Sequence, residues 1–393
     1  MSLALGRVPA GTLAVILAAS AGTAAAQQLQ VPGVVAPPVK GPSGFVLNAN
    51  VAGGWDSNPA WLTQPRSSLA GYGGASLAKT WSTPSFSVTA DGSGQASIFK
   101  AGVAANRYDY GGGLAAAGAL DSRTNLALRV GANVQHNDQL FNPLTAGLLL
   151  PVTKTKALTT SADVSRRVGS RSQIGIAGSW ARLQFEGAGL SNGTALAATA
   201  RYSYNVSPRG QLSANYGYQT NDYERGGRTH VQTLAAGYGS ALGARSKLTF
   251  SAGSDVRTLP GATSATWSLY LNSSYSVTGR HTAFVAAYRR GVNPGPGLGQ
   301  DRLLGIASAS FSATPNTWFS LILSGSHGNN SQGTGTNQTY TTDEASASLR
   351  ARLNRDLGLV LLNEYRQRGA VATFQGVTDY RISLALAYAR TFR

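Results

Sequence analysis

Val377-Thr378-Asp379-Tyr380-Arg381-Ile382-Ser383-Leu384-Ala385-Leu386-Ala387-Tyr388-Ala389-Arg390-Thr391-Phe392-Arg393 ends the sequence and decides its fold class. Tyr380, Ile382, Leu384, Leu386 and Tyr388 share one parity, which Phe392 continues. Arg381, Ser383, Ala385, Ala387 and Ala389 hold the other. A period of two puts two different environments on the two faces of one strand. In a soluble sandwich a second apolar sheet would cover the apolar face, and no complementary all-apolar elements occur here. The pattern recurs along nearly the whole chain instead. It predicts an all-β fold, a transmembrane antiparallel up-and-down β-barrel with its apolar face to lipid and its small, polar face to the lumen. Residues 378–392 are read as the closing strand.

Upstream of that strand the chain repeats from Gly44. Tight-turn signals stand at Thr83-Pro84, Asp121-Ser122-Arg123, Gly169-Ser170-Arg171, Ser207-Pro208-Arg209-Gly210, Gly243-Ala244-Arg245, Thr278-Gly279-Arg280, Thr314-Pro315-Asn316 and Asn354-Arg355-Asp356. They recur roughly every 35 to 48 residues, and each interval holds two alternating strands around a more variable loop. Short turns at one end and longer loops at the other predict periplasmic turns and outer loops. Eighteen strands are expected, near 44–55, 69–81, 85–98, 107–119, 124–136, 155–168, 172–185, 194–206, 211–223, 231–242, 246–257, 264–277, 281–290, 301–313, 317–327, 341–354, 357–368 and 378–392. Segments 317–327 and 357–368 carry apolar residues on both faces, so sixteen strands is the alternative count.

Composition agrees. Charged residues make up 12% of the 393 and hydrophobic ones 42%, a balance that excludes intrinsic disorder. Past the N-terminus no apolar run reaches the length of about 18 residues that a membrane helix needs. A membrane protein without such helices must close its sheet, because open edges cannot be satisfied in hydrocarbon. Cysteine is absent, which excludes disulfide scaffolds and thiolate metal sites. The 33 Lys and Arg against 16 Asp and Glu give a formal charge of +17. These cations are spread over strands and turns. A basic lumen that attracts anions therefore accounts for them better than nucleic-acid binding does.

Residues 1–26 have a secretory layout: Arg7, an apolar stretch from Leu13 to Ala19, and small residues at Ala24-Ala25-Ala26 for cleavage. Residues 27–43, with Pro32, Pro37, Pro38 and Pro42, read as an extended periplasmic linker, and 44–393 as the barrel. Loops 291–300 and 328–340 are rich in Gly and Asn. Loop 137–154 carries Leu140, Phe141, Leu144, Leu148, Leu149 and Leu150. It is expected either to constrict the pore or to pack on the rim or a neighbouring subunit.

Asn48-Ala49-Asn50-Val51-Ala52-Gly53-Gly54-Trp55-Asp56-Ser57-Asn58-Pro59 resembles the first strand of the beta-barrel porin-2 family of bacterial outer-membrane proteins. The organisation from residue 44 onward is similar to that family too. The resemblance implies a porin-like barrel in the bacterial outer membrane. Some members resemble barrels of exopolysaccharide systems. One departure stands at the end, where Arg393 follows Phe392 in place of a terminal aromatic. Recognition by the barrel-assembly machinery is expected through strand 378–392 with a shifted signal. On physical grounds Asp56-Ser57-Asn58-Pro59 is a strand terminator, since Asp and Asn bond nearby amides and Pro59 removes a donor.

No catalytic, cofactor or metal site emerges. His136, His230, His281 and His327 do not pair at metal-ligand spacing. Ser324-Gly325-Ser326-His327-Gly328-Asn329 contains hydrolase residue types, but Ser and Asn are too frequent here for that to carry weight. Gly111-Gly112-Gly113 is no phosphate loop; it reads as a small-residue face inside the barrel. What remains is lumen charge. Parity turns Arg129, Arg201, Lys247, Arg289, Arg350, Arg352 and Arg381 inward, joined by Arg366 and Arg368, with Glu344 and Asp255 as inward acids. A ring of guanidinium forks selects anions.

The expected function is passive diffusion of small anionic solutes or saccharides, without enzymatic activity. An exopolysaccharide-export component and a closed structural barrel are the alternatives. Expected partners are outer-membrane lipids, lipopolysaccharide, the assembly machinery and the solute, with no nucleic acid. The barrel is expected to be a monomer or a homotrimer.

Overall fold

The computed structural model describes residues 44–62, 64–136, 153–186, 190–261, 264–293, 301–331, 339–370 and 376–392. The expected leader, linker and loop core 137–152 lie outside them. The elements are β1 Gly44–Asp56, β2 Ser68–Ser82, β3 Phe86–Phe99, β4 Arg107–Ala119, β5 Thr124–His136 and β6 Lys154–Arg167. Next come β7 Ser172–Glu186, β8 Gly193–Asn205, β9 Gly210–Tyr223, β10 Gly227–Ala241, β11 Ser246–Thr258 and β12 Thr266–Thr278. The last six are β13 Thr282–Asn293, β14 Arg302–Ala313, β15 Phe319–Ser331, β16 Thr339–Arg352, β17 Leu357–Arg368 and β18 Val377–Phe392.

Every consecutive pair is antiparallel, and β1 bonds both β2 and β18, so the eighteen strands close without an edge. Partners followed from strand to strand once round the barrel return to β1 roughly 22 residues along the register. With a rise of about 3.3 Å and about 4.7 Å between strands, that shear tilts the strands about 40° and sets a backbone diameter of about 35 Å.

The expected alternation appears as exposure. Val51, Leu69, Ile98, Leu114, Ile176, Leu234, Trp267 and Leu384 all project outward and stay exposed, up to 75% for Leu69. Aromatics bound this belt. Phe45 and Phe392 meet at 5.8 Å at the turn end of the β1–β18 seam, and Trp55 and Tyr380 at 6.1 Å at the loop end. The ten residue steps from Phe45 to Trp55, tilted as above, span about 25 Å, the height of an apolar bilayer band.

Strand ends differ most from the sequence reading at β10, which starts at Gly227 instead of residue 231, and at β13 and β15. β13 runs on to Asn293 and β15 to Ser331, through residues expected to be loop. Above an apolar band the ladder continues in water, where Gly, Asn and Ser suit a strand as well as a turn. β17 resolves its two-faced pattern: Leu357, Leu359 and Leu361 turn outward, while Val360 and Leu362 line up with inward Arg350 and Ser348.

Candidate functional site

The inner wall is built by register. Asp56, Arg381, Glu364, Arg366 and Asp379 fall on one face of β1, β18 and β17 because Asp56 pairs with Arg381, Glu364 with Arg381, and Arg366 with Asp379. Small residues on this face let long side chains lie flat. Arg201 crosses β7 to reach Asp163 on β6 at 2.6 Å. It passes over Gly175, where an added Cβ would sit 2.6 Å from the arginine Nε.

At the loop end the wall becomes a buried polar network. Asp56, Asn58, Asp379 and Arg366 are all 2% exposed or less. Asp56 accepts from the Asn58 amide at 3.0 Å and faces the Arg381 guanidinium at 3.2 Å. Arg381 also approaches Glu364 at 3.5 Å, and Arg366 is ion-paired with Asp379. The Asn58 side chain donates to the carbonyls of Leu62 (2.8 Å) and Thr378 (3.2 Å) and accepts from the Leu62 amide (2.9 Å). The Ser57 amide donates to Tyr380 O at 2.9 Å, and the Tyr380 amide returns a bond to Ser57 Oγ at 2.7 Å. The strand terminator read from Asp56-Ser57-Asn58-Pro59 is thus also the clasp of the β1–β18 seam.

The segment after it folds inward. Trp61 is buried, with φ at 53°, a left-handed conformation rarely held by a bulky residue unless its surroundings fix it. The Arg366 guanidinium stacks on its ring at 4.9 Å, and Arg107 bonds Pro59 O while covering Phe99 at 4.7 Å. Such desolvated cation–π contacts contribute about 2 kcal/mol each.

Other inward groups divide by height. Asp255 accepts from Thr233 at 2.6 Å and from the Val292 amide at 2.7 Å, where the β12–β13 ladder has already ended at Leu271 and Arg290. Its carboxylate replaces the missing strand partner. Asp301, just before β14, reaches Asn221, Tyr223 and Thr229 across the wall. Toward the turn end, Arg352 donates to the carbonyls of Asn354 (2.8 Å) and Arg355 (3.2 Å) and so caps the β16–β17 turn.

The register places Arg129, Arg201, Lys247, Arg289, Arg350, Arg352, Arg366 and Arg381 on the inward parity. They are not brought together as one ring. Arg366 and Arg381 are neutralised at the mouth, Arg201 is paired toward the turn end, and Arg352 is tied to its turn. Among the described residues no carboxylate lies within ion-pair distance of Arg129, Lys247 or Arg350. Arg107, Arg257, Asp379 and Trp61 were not singled out by the sequence reading. Parity could have found the first three.

One minor reading is corrected. Gly111 and Gly113 face inward, but Gly112 between them faces out with Tyr110 and Leu114. Ser324 and Ser326 face the lumen beside Ser346 and Glu344, whereas His327 projects outward and bonds Asp343 at 2.7 Å. The hydrolase residue types therefore lie on opposite sides of the sheet.

No family model matches this chain, and no curated protein matches it either. Among solved structures it is similar to Acinetobacter baumannii OccAB4, with a TM-score of 0.48 and 10% identity over 90% of this chain and 99% of that one. Pseudomonas aeruginosa OpdO gives 0.49 and 14% over 90% and 98%. Pseudomonas aeruginosa OccK7 (OpdD) gives 0.48 and 12% over 90% and 100%. All three scores fall below one half, and the fold stands on the closed register alone.

Proposed function

We propose that this barrel is a bacterial outer-membrane channel through which small anionic solutes, carboxylates or acidic saccharides, diffuse passively. It would reach that membrane by the export layout of residues 1–26, with β18 as the element read by the assembly machinery and its resemblance to the beta-barrel porin-2 family as a second support. The observation that carries the reading is the pairing of an apolar, aromatic-bounded exterior with an inner wall on which Arg129, Lys247 and Arg350 have no carboxylate partner among the described residues. Cations held in a low-dielectric tube raise the local concentration of anions.

The buried mouth network favours a narrow passage over a wide one, since Trp61 and Asp301 both reach inward from the wall. The same observation supports the alternative of a closed structural barrel. Reversal potential under a salt gradient, with the refolded chain in a planar bilayer, separates the two: anion-selective steps support the channel, and silence from a heat-modifiable barrel supports the closed form.

A further inference from the structure

The Asp301 carboxylate accepts three side-chain hydrogen bonds in the described lumen, and anion passage alone gives it no role. Its Oδ1 accepts from Asn221 Nδ2 at 2.7 Å and from the Tyr223 hydroxyl at 2.6 Å. Its Oδ2 accepts from the Thr229 hydroxyl at 2.6 Å. Asn221, Tyr223 and Thr229 are each 3% exposed or less. All three lie on β9 and β10, whereas Asp301 belongs to the approach to β14, with β11, β12 and β13 between. The donors are therefore a feature of the wall, and the carboxylate is delivered to them from elsewhere.

One member of this donor set is held by the wall itself. Gln219 donates to Asn221 Oδ1 at 2.8 Å, which fixes the amide with its nitrogen toward the carboxylate. Arg257 on β11 is 4% exposed and donates from Nη1 to the main-chain oxygen of Asp301 at 3.2 Å. Its Nε has no partner among the described residues. A buried guanidinium with donors to spare is costly unless an anion answers it. Three short neutral donors and one such guanidinium match the acceptor-only chemistry of a carboxylate.

We propose that Asn221, Tyr223, Thr229 and Arg257 form a carboxylate-binding site on the lumen wall, which the chain's own Asp301 occupies. A solute carboxylate binds there by displacing the Asp301 side chain, so the barrel carries its own competing ligand. The proposal deepens the reading of the protein as an anion channel and rests on it for the solute's route, but not for the site itself.

Acetate is the probe and acetamide its neutral control, on the full refolded chain. Replacing Asp301 by Ser empties the site. Acetate is then expected to raise the melting temperature of D301S at concentrations at least about tenfold lower than in the parent, with no response to acetamide. Adding Y223F or T229V to D301S is expected to remove that response. The same acetate concentrations should half-block the bilayer current of D301S. If D301S melts lower yet responds to acetate no better than the parent, Asp301 is a structural strap and the proposal falls. It falls equally if the acetate response survives Y223F and T229V. A barrel that passes no anions while D301S keeps a Tyr223-dependent acetate shift would overturn the channel reading and leave the site standing.

Discussion

Gly175 shows how much a single missing Cβ decides in this wall. The Arg201 side chain lies where that atom would be and ends on Asp163, both side chains being 16% exposed or less. Gly175→Val should therefore push Arg201 off its partner, at about 1–2 kcal/mol for a charge-assisted bond in a partly wet lumen. Thermal melting checks this against Gly71→Ala, where the new Cβ meets nothing within 4 Å and stability should hold. Asp121 acts at the same scale, outside the strands. The Arg123 amide at 2.6 Å, then the Thr124 hydroxyl at 3.0 Å, hold its carboxyl below the ordinary carboxylate value. A depressed carboxylate contributes above its unfolded value of about 4 and loses that contribution as pH falls through the folded one. The protection factors of the Arg123 and Thr124 amides, taken against the intrinsic exchange rate at each pH, should thus fall as pH drops below about 4, and unchanged protection would count against the turn's dependence on charge. Sequence parity placed Arg201 on the inner face. It could not supply Asp163 as partner, because that contact skips a strand.

At the scale of elements, the seam between β1 and β18 depends on a four-residue clasp. The Asn58 side chain alone accounts for one bond within its loop to Leu62 O, one to the Thr378 carbonyl on β18, and one from the Leu62 amide. Asn58→Ala removes all three bonds from partly buried partners, a loss of about 1–2 kcal/mol. A melting temperature equal to the parent's would show that the clasp is dispensable. Strand identity was legible because lipid and lumen impose opposite chemistry on alternate residues. Strand ends were less legible. Gly328-Asn329-Asn330-Ser331 carries every mark of a turn, yet continues β15. Turn residues break strands in a dry core; above an apolar belt they are simply polar enough for water. The inward fold of Trp61 left no trace in the pattern, since it depends on Arg366, three hundred residues away in the chain and adjacent only once the barrel has closed.

For the whole molecule, the sequence has a formal charge of +17, and closure of the eighteen strands turns a set of its described cations, Arg129, Arg201, Lys247, Arg289 and Arg350 among them, toward the inside of a tube. Two further inward cations, Arg366 and Arg381, face the carboxylates of Asp56, Glu364 and Asp379 at the mouth, so that stretch adds no positive field for a solute to meet. The field along the route falls to inward cations outside those pairs, Arg129, Lys247 and Arg350 among them. The measurement that tests this most directly is the reversal potential of single channels in a planar bilayer under a tenfold salt gradient, for the parent and for the combined R129S, K247S and R350S variant. Anion selectivity in the parent that falls at least about threefold in the variant, with conductance steps still present, is the predicted result. A cation-selective parent, or selectivity untouched by removing the three charges, would contradict it.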